Sequence, residues 1–402
     1  MTCNPAVWLI ISLMTAGAAW AAPGGWSGSG VAWLANPAAL ADPAMGAWEA
    51  YLVHGSVAVR NNAVSLDLYR RYSGEYLDED DKRTILESIS GKTARGFLQG
   101  EAEALGIRVG RAAFITRAYL GGDLSLDKDL IDLMFFGNAL DRRYELLNSG
   151  GMLTYLSAGG SYGFPSGRIA GWETSSGIGA RIVLGVLAAK ITRSSFAVLT
   201  EVEGLTAEGV TVVRRTTDDP ESRLPVGVAL DLGGRAARDQ WELEIVLKDL
   251  GPSLSWKGVE EKLVEFQAEE WTAELGDSGY VSSDSTYDVG RWSTPLPARM
   301  EVHIGRRLPW GGAYARWNQG LRSWAGVTTS PRVHAGLIWD ARAWLRTWLE
   351  LGAGRPEGFG MAAGLELRPG PLRLRLGATG FRIPTSRSEA LGVQFALGAA
   401  SG

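Results

Sequence analysis

Gln240-Trp241-Glu242-Leu243-Glu244-Ile245-Val246-Leu247-Lys248 is the stretch whose reading decides the fold. Trp241, Leu243, Ile245 and Leu247 occupy every second position. Gln240, Glu242, Glu244 and Lys248 fill the positions between, with Val246 the one exception. A strand turns successive side chains to opposite faces, so this segment has one apolar and one charged face.

The same alternation recurs outward from there. Met300, Val302 and Ile304 oppose Arg299, Glu301 and His303. Leucines 372, 374 and 376 oppose Arg373 and Arg375. Leu391, Val393, Phe395 and Leu397 alternate with Gly392, Gln394 and Ala396. Soluble sandwiches carry this pattern too. Three features favour a membrane barrel: segments of about ten residues, repetition along nearly the whole chain, and tight links. The links are Arg108-Val109-Gly110, Asp340-Ala341-Arg342 and Pro369-Gly370-Pro371. Aromatic girdles account for Trp310, Trp317, Trp324, Trp339, Trp344 and Trp348, with a soluble core as the alternative.

The expected fold is therefore all-β, a single antiparallel transmembrane barrel. A direct parse gives sixteen strands, among them separate strands at 194–204 and 258–269. Short links then fall on one side, and the long connections 61–93, 122–149 and 270–296 on the other. The links 205–223 and 165–175 are too long for their side; a hairpin around Val210 to Arg215 is the expected cause of the first. Two loop helices are expected, one capped by Asp78 and running through Ser88, the other capped by Asp127 and ended by Gly137. Each is read as packing on its own loop, or as a lid.

Composition narrows the function. The chain has 402 residues, net charge -4, 53 glycines, 16 tryptophans and a single cysteine, Cys3. Residues 1–21 read as a secretory signal, with Ala19-Trp20-Ala21 as the small-x-small site, although Met1 to Pro5 lacks Lys or Arg. Beyond it no apolar run approaches the ~20 residues of a membrane helix. With Cys3 inside the signal, the mature chain has no thiol for disulfides, thiolate catalysis or zinc. Mild acidity and the lack of a basic run argue against nucleic acid.

Enzyme chemistry finds little support, and no cofactor is called for. His54, His303 and His334 lack metal-ligand spacing. Gly159-Gly160-Ser161-Tyr162-Gly163 fits Gly-x-Ser-x-Gly, but Phe164-Pro165-Ser166-Gly167 follows where a nucleophile elbow needs a helix, so a strand-end turn is expected. Asp277, Asp284 and Asp288 lie in a Ser-rich loop without EF-hand spacing. The polar-face residues Glu242, Glu244, Glu301, Arg373 and Arg375 are candidates for the lumen, paired as barrel filling.

After the signal comes Gly30-Val31-Ala32-Trp33-Leu34-Ala35-Asn36-Pro37-Ala38-Ala39-Leu40-Ala41-Asp42. Its core, Asn36, Pro37, Ala38, Ala39 and Leu40, resembles the Asn-Pro-Ala motif of barrels related to the fatty-acid transporter FadL and the PorV group. The stretch from Leu126 to Leu133 with Phe136-Gly137-Asn138, and Leu247-Lys248-Asp249-Leu250-Gly251 before Trp256, resemble a family of unknown function in that superfamily. The resemblance implies about fourteen strands, with residues 22–46 as a plug or hatch and 47–402 as the barrel. Physically, Pro37 fixes φ and Asn36 can hold an Asx turn, which suits an irregular plug or an ordinary turn into the first strand. One departure stands out: Gly398 to Gly402 follows the last expected strand, where such barrels usually end on an aromatic residue.

The implied partners are outer-membrane lipid, the barrel-assembly machinery, and either a hydrophobic ligand or a surface protein. Two functions fit: passage of hydrophobic small molecules across the outer membrane, or a PorV-like structural or anchoring barrel without transport. A soluble periplasmic β protein is the third.

Overall fold

The computed structural model describes residues 32–63, 65–89, 91–202, 204–217, 224–271, 280–354, 358–379 and 389–401. The expected signal at 1–21 and Asp277 lie outside the described residues.

The strands are β1 (Trp48–Asn61), β2 (Thr93–Val109), β3 (Ala112–Asp127), β4 (Arg143–Leu146), β5 (Ser149–Ile169), β6 (Trp172–Thr200), β7 (Leu205–Thr216), β8 (Val226–Arg238), β9 (Trp241–Leu250) and β10 (Leu254–Lys257). They continue with β11 (Val259–Trp271), β12 (Tyr280–Asp288), β13 (Arg291–Thr294), β14 (Arg299–Leu308), β15 (Gly311–Gly320), β16 (Arg332–Arg342), β17 (Leu345–Gly354), β18 (Gly358–Leu367), β19 (Leu372–Thr379) and β20 (Glu389–Ala400). Fourteen of them form an antiparallel ring in the order β1, β2, β3, β5, β6, β8, β9, β14 to β20. Pairing of β1 with β20, from Glu49↔Ala400 to Asn61↔Glu389, closes the ring, so neither strand is left as an edge.

Sixteen expected strands become fourteen for two reasons. Residues 172–200 form one strand, β6, with no turn between 190 and 194. Its first half pairs with β8; its far half runs past the ring and pairs with β7 and β4. The second extra, β11, pairs with β7 and β12 in that projecting sheet, outside the ring. β7 is the hairpin partner expected around Val210 to Arg215. The apparent long link at 165–175 is mostly strand: β5 and β6 are joined by Ala170-Gly171 alone, both at positive φ (50° and 83°). That is the geometry of a two-residue hairpin turn whose twist matches its strands. Gly159 to Gly163 therefore lies inside β5, and the expected strand-end turn is not there. β20 likewise runs through Gly398 to Ala400, and outward-facing Phe395 is its aromatic.

The two-residue links between consecutive ring strands lie at one end of the ring, together with both chain ends of the barrel; Ser401 accepts the bond from Trp48 N. This is the turn end. The opposite, loop end carries the projecting sheet and three short helices: α2 (Leu66–Tyr72), α3 (Glu79–Ser88) and α4 (Lys128–Phe136). A further short helix, α1 (Ala32–Ala35), is followed by a 3-10 turn at Pro37–Ala41. Asp78 caps α3 with a full capping box; Asp127 and Gly137 bound α4. The helices pack on each other across two loops, through Tyr72, Leu77, Ile85 and Phe135. The sequence predicts α3 and α4 only, each packing on its own loop or serving as a lid; α2 has no counterpart in it.

The outer wall is apolar. Leu243 and Ile245 of the opening stretch are 43% and 46% exposed, while Glu242 and Glu244 between them are 4% and 3% exposed. Leu337, Leu349, Ile304, Val393 and many others continue the exposed belt. Trp310, Trp339 and Trp344 are exposed near the turn end, in girdle position. Trp324 and Trp348 are not girdle residues: both are buried inside the ring.

Candidate functional site

The interior of the ring is filled in three tiers. Nearest the turn end lies the N-terminal segment. Asn36 accepts from Ala38 N through Oδ1 (3.0 Å), the Asx bond that lets Pro37 begin the 3-10 turn. Its Nδ2 donates to the Gly234 carbonyl (3.3 Å), and Ser175 Oγ donates to the Ala38 carbonyl (3.0 Å). Pro37, Ala38, Ala39 and Leu40 are buried against three adjacent strands at Gly163, Gly177 and Gly233. A Cβ at Gly163 would lie 2.6 Å from Ala41 N, and one at Gly177 or Gly233 would overlap Pro37, Ala38 or Asn36. The glycines are thus a niche cut to the backbone of the segment. Three polar ties complete the seat: Trp33 Nε1 to Glu49 (2.7 Å), Arg117 to the Leu34 carbonyl (3.3 Å), and Arg235 to Asp42 (3.0 Å).

The middle tier is charged. Arg235 also pairs with Glu242 (2.5 Å) and approaches Glu244 (3.9 Å). Arg117 bridges to Glu103, which holds His54 at 2.6 Å. Arg181 joins Asp231 and Asp249 at 2.9 and 2.8 Å. Arg299 contacts Glu101, Asp249 and Glu301, and Lys248 pairs with Glu301 (3.3 Å). Glu350 gathers Arg316 (3.2 Å), His334 (3.2 Å) and the Tyr314 hydroxyl (2.7 Å). A buried ion survives only with partners, and the ring delivers opposite charges from neighbouring strands at matching depth. The site candidates separate here. Glu242, Glu244 and Glu301 stand in this tier. Arg375 is buried over Trp348, and Arg373 sits at the turn-end rim, bonded to the Gly370 and Leu372 carbonyls.

The third tier, towards the loop end, is aromatic. The connection 321–331 between β15 and β16 folds inward as a small hairpin, Trp324 pairing with Val327. Tyr119 Oη donates to the Ala325 carbonyl (2.7 Å), and Arg60 to that of Gly326 (3.3 Å). Trp324, Tyr119, Tyr155, Trp256, Leu153, Leu254 and Leu296 form one apolar cluster with Trp292 against it. Tyr119 and Tyr155 stack at 4.9 Å, and Trp292 meets Trp324 edge-on at 6.4 Å. This inward loop carries no sequence motif; its one signal is a tryptophan in a link that also holds Ser323, Thr328, Thr329 and Ser330. Gly151 leaves room for the Trp324 ring, where a Cβ would come within 2.5 Å.

No protein-family model and no curated protein matches the chain. Among solved structures it is similar to the toluene transporter TbuX of Ralstonia pickettii: TM-score 0.49, 10% identity, over 92% of this chain and 94% of that one. It is similar to the toluene transporter TodX of Pseudomonas putida, with TM-score 0.45 and 10% identity over 92% of both chains. A FadL homologue of Pseudomonas aeruginosa gives TM-score 0.43 and 13% identity over 94% of this chain and 97% of that one.

Proposed function

We propose that this chain is an outer-membrane barrel that passes small apolar solutes inward from the cell surface, with its lumen closed at both ends in the present conformation. The belt of exposed Leu, Ile and Val around a ring without edges suits lipid and would be costly in water. By the short-turn rule the turn end faces the periplasm and the loop end the outside. On this reading residues 1–21 export the chain and the barrel-assembly machinery inserts it.

The observation that carries the transport reading is the aromatic tier. Eight large apolar side chains face each other inside the ring at the outer end, and Trp324, the residue that closes them off, rides on a loop. Swung out, that loop would leave an apolar receptacle with two tyrosine faces for stacking. The Asn-Pro-Ala segment then acts as the periplasmic plug, held by its niche and a handful of polar ties.

The test is uptake of a fluorescent aromatic solute by proteoliposomes containing the full chain, against liposomes with an unrelated closed barrel. Faster uptake is expected. Equal uptake, with insertion verified by heat-modifiable migration on a gel, would defeat the transport reading and leave a structural or anchoring barrel.

A further inference from the structure

Trp241 opens β9 with an arginine on either side. Arg238 is its partner across the β8–β9 pair, and Arg306 its partner across the β14–β9 pair. All three point outward. Arg238 shares a face of its strand with Leu232, and Arg306 with Ile304; these two apolar residues are 40% and 44% exposed. Three adjacent strands therefore set Arg, Trp and Arg at one height on the outer wall, at the turn end. Two strand spacings, about 10 Å, separate the arginines, with the indole between them.

Neither guanidinium is held firmly. Arg306 leans over the Trp241 ring at 5.3 Å, and Trp241 is itself 44% exposed. Arg238 rests beside Gly171, its Nε 3.7 Å from an Asp239 carboxylate that is 82% exposed. A pair this open to water contributes little. The carboxylates carried by the three strands themselves, Asp231, Glu242, Glu244, Asp249 and Glu301, all pair inside the lumen. Towards the middle of the wall the outward side chains are apolar: Leu232, Leu243, Ile245 and Ile304, each at least 40% exposed. Two cations thus stand at the edge of an apolar surface.

We propose that Arg238, Trp241 and Arg306 form a site on the outer wall for the headgroup of an anionic phospholipid. The phosphate lies between the two guanidiniums, whose forked donors match its oxygens, and the acyl chains run over Leu243, Ile245 and Ile304. The indole stands where the headgroups meet the hydrocarbon. Two water-exposed arginines hold a free anion weakly; the apolar contact of the tails is what makes a lipid the occupant. The assignment rests on the membrane reading above, with the turn end at the periplasmic leaflet, and not on solute passage.

Native mass spectrometry of the detergent-purified full chain tests it, by titration with phosphatidylglycerol and with phosphatidylcholine of the same acyl chains. Half-occupancy is expected at a tenfold or more lower concentration of phosphatidylglycerol. Arg238→Gln and Arg306→Gln should each weaken its retention about fivefold, and the double variant should abolish the preference. Arg342→Gln, an exposed turn-end arginine on β16, should leave the preference intact. Glycerol phosphate, a headgroup without tails, should not compete at matched ionic strength. The proposal is overturned if the two lipids are retained alike, if the double variant keeps the preference while migrating as a folded barrel, if Arg342→Gln lowers it as much, or if glycerol phosphate displaces the lipid. Those results leave the membrane reading standing; a chain that stays monomeric in solution without detergent would defeat both.

Discussion

Asn36 Oδ1 lies against the α-carbon of Gly233 so closely that a Cβ there would overlap it. With Ala38 N within 2.9 Å of the same point, the plug motif is fitted directly onto the backbone of the barrel wall. Gly233→Val should unseat residues 36–41 while the strand pairing of β8 persists, since valine is at home in strands. The expected result is a leakier lumen, seen as higher conductance in planar bilayers, with unchanged heat-modifiable migration. Unchanged conductance would mean the segment does not close the turn end.

Trp324 is the closing side chain of the aromatic tier. Trp324→Ala should raise aromatic solute uptake, because the loop loses its largest apolar anchor. Tyr119→Phe strands the Ala325 carbonyl and should destabilise the inward loop by about 1–3 kcal/mol. Both variants would show faster proteolytic cleavage within 321–331; resistance equal to the parent's would argue that other contacts hold the loop.

Glu350 serves three partners in the charged tier. Glu350→Ala leaves Arg316 buried without its counter-ion and should cost about 3–5 kcal/mol of barrel stability. Replacement of both, Glu350→Leu with Arg316→Met, should recover most of it. Urea titration in lipid bilayers followed by tryptophan fluorescence reads both; a mild single variant would show that water or neighbours compensate.

Ile245 and Leu337 face outward from the middle of their strands. A lysine at either should cost about 2–4 kcal/mol in a bilayer, since the wall there meets hydrocarbon. The same change at Trp339, near the turn end, should cost far less. Equal costs at the three positions would argue against a membrane belt at this depth.

Much of the architecture was legible because strand periodicity is a local property. Ile245 and Glu244 are sorted to opposite faces by parity alone, and the caps Asp78 and Asp127 act within one helical turn. The strand count was overestimated at β6, because a strand that leaves the ring and continues into a projecting sheet keeps the same alternation. Nothing local marks the point near residue 185 where its partner changes from β8 to β7. Trp324 and Trp348 were misplaced for a related reason: an aromatic side chain serves a girdle and a packed interior equally well.

Chain alternation, tight turns and the Asn-Pro-Ala segment by themselves determined that this protein is a β-barrel and which side chains turn away from its apolar wall. Only the tertiary structure decided what fills the ring. Arg181 finds Asp249, Tyr119 finds Ala325 and Gly233 admits Asn36 across separations of 68, 206 and about two hundred residues. Such contacts are set by register around a closed circuit, where each pairing constrains the next, and no window of sequence contains that circuit.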